Sequence, residues 1–196
     1  WDRITIGSVG SAANAGVEGL SLADLGRLRK RSPFDAISDL MIEERGAVSQ
    51  IIHGISGEEG HEEGMEAILA HSLGAVCTDA NDFGRGRPHP AAWGAFPRVL
   101  GRFVRERRLL DLPGAIRKMT SYPAALLGLR DRGVIRPGAW ADLVVFDPAV
   151  VGSSASWNSP RQPAEGIRLV CVNGVCVAGD LIGKQDGKPP GMVLRN

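Results

Sequence analysis

Residues 74–107 place an apolar segment, an acid, a loop and a long amphipathic helix in succession, and this order strongly restricts the fold. The apolar segment, residues 74–78, leads into Asp79, the loop contains Gly-Arg-Pro-His-Pro at residues 86–90, and apolar residues recur at helical spacing over residues 96–107. We interpret residues 74–78 as a short buried strand. An acid after such a strand is how an α/β barrel presents a catalytic carboxylate. The pattern predicts an active-site acid, as in a metal-assisted hydrolase.

Strand and helix signals alternate over the first 128 residues. Residues 1–7 and 48–52 have the apolar, β-branched character of strands. A serine or aspartate directly before an apolar periodic run predicts the start of a helix, and such residues occur at Ser21, Ser32, Ser56, Asp111 and Ser121. This alternation is typical of an α/β protein with a parallel sheet.

The last third of the chain has a different character. A strand is predicted over residues 141–147, and Pro148 ends it. Two more apolar segments flank Asn173-Gly174, a pair that favours a two-residue type I′ hairpin turn because both residues tolerate a positive φ. We therefore divide the chain into β/α units at residues 1–128 and a small β unit at residues 129–196.

The cysteines give information about the redox environment. The three are Cys77, Cys171 and Cys176, and they include no Cys-x-x-Cys pair, which argues against a zinc ribbon or a thioredoxin motif. The predicted hairpin places Cys171 opposite Cys176, close enough to bridge. An odd number of cysteines in a chain of this length favours reduced thiols and a cytoplasmic location. We expect Cys171 and Cys176 to be two small buried thiols.

The charge balance restricts the class of partner. The 196 residues carry 23 Lys and Arg against 22 Asp and Glu, for a formal net charge of +1. This near-balance gives no electrostatic reason to expect a nucleic acid or a membrane surface as partner. No apolar run in the sequence is long enough to span a bilayer.

Several stretches of the chain resemble the N-acyl-D-amino-acid deacylases, or D-aminoacylases, of the amidohydrolase superfamily. The most specific are Phe-Pro-Arg-Val-Leu-Gly at residues 96–101 and Arg-Lys-Met-Thr-Ser at residues 117–121. Arg-Pro-His-Pro at residues 87–90 also matches, as does the strand Ala-Asp-Leu-Val-Val-Phe at residues 141–146, which many amidohydrolases share. The resemblance covers nearly all of this chain but only the C-terminal part of a family member.

The resemblance implies a fold and a reaction. Residues 1–128 would hold the last units of a (β/α)8 metal-dependent hydrolase barrel, and residues 129–196 the C-terminal strands of a small β-sandwich domain. It further implies a zinc cofactor. The implied reaction is hydrolysis of a linear amide, such as an N-acyl-D-amino acid, to a free amino acid and a carboxylate.

Asp79 matches the acid at the end of the last barrel strand of the family. The resemblance implies that it acts as general base and then general acid, taking a proton from the attacking water and passing it to the leaving amine. The same carboxylate can also touch the metal. Two neighbouring positions depart from the family pattern: its Gly-Ser-Asp-Gly is Cys-Thr-Asp-Ala at residues 77–80, and Ala91 replaces the arginine that often follows His-Pro. Both departures leave the identity of the substrate open.

The loop after Asp79 carries the candidate substrate-binding residues. His89 lies between two prolines, whose fixed φ restrains the direction of its ring, and we expect it to line the substrate entrance. Arg85 and Arg87 are candidates to bind a substrate carboxylate, because a guanidinium pairs with a carboxylate through two parallel hydrogen bonds. The structural alternatives are a histidine bonded to backbone and two exposed loop cations.

The zinc ligands of the family are incomplete in this sequence. A catalytic zinc site takes three protein ligands and a water, but the four histidines, His53, His61, His71 and His89, contain no His-x-His pair. We therefore expect the other ligands outside this chain, and we interpret the start at Trp1 as that of a processed piece or subunit. A partial barrel leaves sheet edges and apolar faces uncovered, which predicts an N-terminal portion, a partner chain or a second copy that covers them.

Two alternatives remain open from the sequence. One is a cyclic-amide hydrolase of the dihydroorotase or hydantoinase kind, although the Phe-Pro-Arg-Val-Leu stretch at residues 96–100 argues against it. The other is a non-catalytic barrel subunit that retains the fold without the chemistry. A comparison of linear and cyclic amides as substrates distinguishes a cyclic-amide hydrolase from a linear-amide hydrolase. An Asp79→Asn change with no effect on the assembled protein would indicate the non-catalytic subunit.

Overall fold

The structure is a computed structural model that describes residues 1–55, 62–179 and 189–194. The chain divides into two compact units that each draw on separate stretches of sequence. The first contains Trp1–Ile68, Asp79–Ala92 and Ala155–Arg161, and the second contains Leu69–Thr78, Trp93–Ser154 and Gln162–Asn196. Helices and strands are mixed along the chain, as expected for an α/β protein.

The first unit is built on two strands and two helices. Its elements in chain order are β1 (Ile4–Val9), a 3₁₀ turn (Ala12–Val17), α1 (Leu22–Arg29), α2 (Pro33–Glu43) and β2 (Val48–Ile52). The predicted N-caps are confirmed: the Ser21 hydroxyl accepts a hydrogen bond from the Asp24 N–H, and the Ser32 hydroxyl accepts one from the Asp35 N–H. The apolar side chains of these elements form one buried core, made of Ile6, Val9, Val17, Leu22, Leu25, Ala36, Ile37 and Leu40.

The two strands of this unit are antiparallel, so the prediction of a parallel sheet is wrong for this pair. Ile4 lies opposite Ile52 and Val9 opposite Val48, with a bulge between Ile6 and Ser8. The reason lies in the connection. Residues 19–21 already run back along β1, since the Gly19 N–H donates to the Ile6 carbonyl at 2.7 Å and the Ile6 N–H donates to the Leu20 carbonyl at 2.9 Å. α1 and α2 then bring the chain to the Val9 end of β1, where β2 begins opposite it.

The segment before Asp79 also differs from its prediction. Residues 74–80 form no strand, and Ala75 and Cys77 are exposed rather than buried. The Val76 N–H donates to the Lys118 carbonyl of a helix, 3.0 Å away. An extended segment becomes a strand when the backbone of a neighbouring strand pairs with it, and the described residues supply no such neighbour here. The predicted helix start at Ser56 lies outside the described residues; Glu62 is not helical, and α3 spans Glu63–Ala70.

The second unit contains the remaining helices. These are α4 (Ala91–Arg98), which continues as π-helical turns over Val99–Glu106, then α5 (Leu112–Met119) and α6 (Ser121–Leu126). Asp111 caps α5 as predicted, since its carboxylate accepts a hydrogen bond from the Gly114 N–H at 2.9 Å. Arg105 follows helical spacing with Arg98 and Arg102, as on a solvent-exposed helix face, but it donates to the Val151 carbonyl at 2.5 Å. A carbonyl contributed from 46 positions away is not visible in helical spacing.

The C-terminal strands confirm the predicted hairpin. β3 (Leu143–Phe146) pairs with β6 (Ile167–Val172), which pairs with β7 (Val175–Gly179), while β4 (Gly152–Ser153) pairs with β5 (Ala164–Glu165). Asn173 and Gly174 have φ values of 50° and 81°, as a type I′ turn requires.

The hairpin joins two of the cysteines. Cys171 lies opposite Cys176 with the Cα atoms 3.8 Å apart, and the two form a disulfide. The expectation of two reduced thiols is therefore corrected, because the strand register brings the two sulfur atoms together. Cys77 is a free, exposed thiol.

Helix length and composition bear on membrane association. Within residues 1–55, 62–179 and 189–194, none of the helices has both the length and the apolar character required to cross a bilayer.

Candidate functional site

One cleft in the first unit brings together the four residues that the sequence singled out. Asp79, Arg85, Arg87 and His89 all line it, and its volume is about 290 Å³. Its floor comes from β1 and β2, and the other side is formed by residues 79–89. A volume close to 300 Å³ suits a small organic molecule. A second, shallower depression between α1 and α2 is lined by arginine, lysine and small residues and contains neither an acid nor an imidazole.

Asp79 has an unusual backbone. Its φ is +42°, in the left-handed region that residues other than glycine rarely adopt. Its side chain is exposed to the cleft, and among the described residues no group forms a hydrogen bond or an ion pair with its carboxylate. Residues held in such conformations concentrate at functional sites, where the surrounding structure maintains them. The Asp79 carboxylate is thus presented to the cleft with its oxygens accessible to a ligand or a water.

The segment that carries the two arginines is attached to β1. The Arg87 N–H donates to the Gly7 carbonyl at 2.6 Å. Gly86 has a φ of +61°, and a Cβ atom on it would lie 2.7 Å from the Ser8 Cα. Gly86 therefore allows the loop to approach the strand more closely than any side chain would. This contact fixes the backbone from which Arg87 enters the cleft.

His89 is held by its backbone and by an aromatic neighbour. Its Nδ1 accepts a hydrogen bond from the Ala91 N–H at 3.0 Å, so the neutral ring carries its proton on Nε2. The Trp157 ring lies edge-on to it, with the centroids 4.7 Å apart. Burial lowers the pKa of His89 below its ordinary value of 6.5, and the nearby His53 lowers it further. The imidazole is therefore neutral near pH 7 and can donate from Nε2.

His53 lies on the other side of the same tryptophan. Its Nε2 is 3.0 Å from the Thr5 Oγ1, and its ring makes an edge contact with Trp157 at a centroid distance of 4.5 Å. The hydrogen bond to Thr5 gives His53 a polar structural role in the first unit. Trp157 was missed, because nothing in its local sequence points to a contact with residues 53 and 89.

Asp82 and Arg161 form a second feature that the sequence did not indicate. Asp82 is a turn residue, since its Oδ1 accepts from the Gly84 N–H at 2.8 Å. It is also paired with Arg161 through two bonds, Nε to Oδ2 at 2.8 Å and Nη2 to Oδ1 at 2.9 Å. The carboxylate raises the pKa of Arg161 above its ordinary value. The two residues are 79 positions apart, so no spacing rule could have paired them.

The described residues do not by themselves form a metal centre. No group of three or more His, Cys, Asp and Glu side chains lies close enough together among them to hold an ion. His71 follows the end of α3 and its Nδ1 accepts from the Leu73 N–H at 3.2 Å, while His61 lies outside the described residues. Asp79 is the one candidate ligand from the sequence that reaches the cleft.

A family comparison covers most of the chain. The model of the family described as "Amidohydrolase family" matches residues 11–178. This range includes the whole of residues 79–89, Trp157 and Arg161.

Curated relatives match at substantial identity. The N-acyl-D-glutamate deacylase of Alcaligenes xylosoxydans xylosoxydans is 47% identical over 115 residues, which are 58% of this chain and 23% of that protein. The D-aminoacylase of the same organism is 37% identical over 161 residues, or 82% of this chain and 31% of that protein. The chain thus spans less than a third of the length of either relative.

Solved structures agree in fold. A crystal structure of D-aminoacylase, described as defining a novel subset of amidohydrolases, superposes with a TM-score of 0.79 at 35% identity and covers 91% of this chain and 35% of that one. The N-acyl-D-glutamate deacylase from Bordetella bronchiseptica, solved with zinc and a phosphonate inhibitor, gives a TM-score of 0.76 at 36% identity, covering 89% of this chain and 34% of that one.

Proposed function

We propose, from the premise that this chain belongs to the D-aminoacylase family of the amidohydrolase superfamily, that the protein containing it hydrolyses linear amides. The substrates would be N-acyl-D-amino acids, which are cleaved to a free amino acid and a carboxylate. The observation that carries the proposal is the convergence of Asp79, Arg85, Arg87 and His89 on one cleft. An acid can transfer protons, two guanidinium groups can bind a substrate carboxylate, and a neutral imidazole can donate a hydrogen bond to the acyl or amide group.

Asp79 is proposed as the catalytic residue. Its carboxylate is exposed to the cleft and has no partner among the described residues that would hold it in another role. It would accept the proton of the attacking water and deliver it to the nitrogen of the leaving amine. Proton transfer by one positioned group typically accelerates a reaction by about 10² to 10⁴-fold.

Arg85 and Arg87 are proposed to bind the substrate carboxylate. Both line the cleft within a few residues of Asp79, and both are exposed. An N-acyl amino acid is an anion, and a guanidinium recognises a carboxylate by charge and by paired N–H donors. His89 lines the same cleft and is proposed to contact the acyl or amide group through its Nε2 proton.

Zinc is proposed as the cofactor of the complete protein. Bound zinc polarises a carbonyl and activates water in hydrolases. The described residues do not fit a complete site, because they contain no cluster of three ligating side chains. Asp79 would therefore contribute at most one ligand, and we propose that the remaining ligands come from an N-terminal portion or a partner chain.

The same proposal covers the architecture. Residues 1–128 would contribute the last units of a (β/α)8 barrel, whose strands are parallel, together with the antiparallel β1–β2 pair. Residues 129–196 would form the C-terminal share of a β-sandwich, and an N-terminal portion or partner would supply the other barrel strands. The 35% coverage of the D-aminoacylase chain supports this proposal. We also propose a cytoplasmic location, which the free Cys77 thiol supports and the Cys171–Cys176 disulfide does not.

The test is substrate hydrolysis by the zinc-loaded protein, whose chains and metal content are first identified by native mass spectrometry. We expect release of D-glutamate from N-acetyl-D-glutamate, with little release from the L-enantiomer. Dihydroorotate is the cyclic control. Turnover of dihydroorotate alone would replace this proposal with the cyclic-amide alternative, and no turnover of any amide by the zinc-loaded protein would indicate the non-catalytic subunit.

A further inference from the structure

Arg161 makes an unusually complete set of contacts to the loop that carries the two cleft arginines. Besides the two bonds to the Asp82 carboxylate, its Nη1 donates to the Gly86 carbonyl at 2.8 Å and its Nη2 to the Arg85 carbonyl at 2.9 Å. One guanidinium therefore binds one carboxylate and two successive backbone carbonyls. The side chain comes from a segment about 75 residues further along the chain.

The carbonyls that Arg161 binds belong to the residues that matter for the cleft. Arg85 lines the cleft directly, and the Gly86 carbonyl is part of the peptide that leads into Arg87. On its other side this peptide is fixed by the Arg87 N–H bond to the Gly7 carbonyl, 2.6 Å long. The loop is thus held between β1 and the Arg161 guanidinium.

We infer that Arg161 is a positioning residue that holds residues 82–87 where Arg85 and Arg87 can meet a substrate carboxylate; this inference rests on the proposed function. The planar guanidinium presents several N–H donors in a fixed fork, which suits simultaneous binding of a carboxylate and two carbonyls. A lysine keeps the charge but offers a compact ammonium that cannot occupy the same positions. Arg161 does not touch the substrate; it acts through the loop.

The same segment reinforces the loop at a second point. Trp157, four residues before Arg161, makes the edge contact to His89 with a centroid distance of 4.7 Å. Residues 155–161 belong to the same compact unit as residues 79–92. Arg161 and Trp157 therefore support the two ends of the loop, and the arginine supports the end that carries the cations.

The first test is hydrogen–deuterium exchange on the whole protein, comparing Arg161→Gln with the wild type. We expect at least tenfold faster exchange in peptides covering residues 82–88, with β1 and β2 unchanged. Arg161→Lys should leave exchange nearly as fast as Arg161→Gln does. Arg27→Gln is the matched control, because it removes another arginine paired with an aspartate, Asp24, on α1.

The second test separates positioning from general stability. For N-acetyl-D-glutamate we expect Arg161→Gln to raise KM about tenfold with kcat changed less than threefold, because the loop binds the substrate rather than performing the reaction. Asp82→Asn keeps the acceptor oxygen of the turn but weakens the ion pair with Arg161, and it should raise KM by a smaller factor. This variant replaces Arg161→Gln in the test if Arg161→Gln fails to fold.

Two results would overturn the inference. One is hydrogen exchange over residues 82–88 that is unchanged in both Arg161→Gln and Arg161→Lys. The other is faster exchange in these variants with KM unaffected. Failure of the proposed function is distinguishable, because it shows in the wild type: the zinc-loaded protein would then turn over no N-acyl-D-amino acid. In that case the exchange and the Kd for N-acetyl-D-glutamate, measured by calorimetry, decide the inference about Arg161.

Discussion

The Trp157 indole lies edge-on to the His89 imidazole, with ring centroids 4.7 Å apart and ring planes at 85°. This contact removes water from one side of the imidazole, and burial is the main cause of its lowered pKa. A charged ring in that position would lose hydration and would be repelled by His53, so the structure favours the neutral form.

Trp157→Ala should therefore raise the pKa of His89 toward 6.5, because water regains access to the ring. The measurement is the NMR titration of the His89 Cε1 proton in the whole protein. His53→Gln is the comparison variant: it removes the second cause, the charge of His53, and should raise the pKa by less. If the pKa of His89 were the same in Trp157→Ala as in the wild type, this would contradict the conclusion that the Trp157 ring buries the imidazole.

The lowered pKa of His89 predicts how the free energy of unfolding depends on pH. His89 binds its proton less readily in the folded than in the unfolded state, so the unfolded state holds more protons between the lowered pKa and 6.5. The free energy of unfolding should consequently fall as the pH drops from about 6.5 through the folded pKa of His89. Urea unfolding at a series of pH values measures this slope. His89→Gln should reduce this slope, because the variant has no imidazole at this position to take up a proton.

Gly86 and Gly84 form a matched pair for testing the attachment of the loop to β1. Both have positive φ, of +61° and +73°, but a Cβ on Gly86 would collide with Gly7 and Ser8, whereas one on Gly84 would meet nothing within 4 Å. The backbone strain alone costs about 1 kcal/mol for alanine, and overpacking adds about 1–3 kcal/mol. We expect Gly84→Ala to lower the free energy of unfolding by about 1 kcal/mol and Gly86→Ala by about 3 kcal/mol, measured by urea unfolding. Equal losses would show that the approach of Gly86 to β1 is not tight.

The sequence predicted the features that depend on neighbouring residues. Ser21, Ser32 and Asp111 cap helices as expected, because a cap is decided by the few residues around it. The Asn173-Gly174 turn is equally local, since its positive φ values are a property of those two residues. Asp79, Arg85, Arg87 and His89, which the sequence singled out by segment order, side-chain chemistry and resemblance, do line one cleft, and their roles there stay predictions.

What the sequence could not predict depends on distant residues. The bonds from Arg161 to Asp82 join positions 79 apart, and the edge contacts of Trp157 join it to His53 and His89. The antiparallel pairing of β1 and β2 depends on the direction in which two helices return the chain. In each case the outcome depends on packing between residues that are distant in the sequence, and the local pattern of residues does not predict such packing.

The most direct test of the account is the effect of Asp79→Asn on the zinc-loaded protein. Asparagine keeps the size of the side chain but cannot accept and deliver the proton, so kcat for N-acetyl-D-glutamate should fall about 10³-fold, within the range typical of a general acid–base residue. The control is Asp39→Asn on α2, whose carboxylate pairs with Arg31 at 3.4 Å and which does not line the cleft; its kcat should stay within about twofold of the wild type. A kcat for Asp79→Asn equal to that of Asp39→Asn, with zinc content unchanged, would contradict the catalytic role of Asp79.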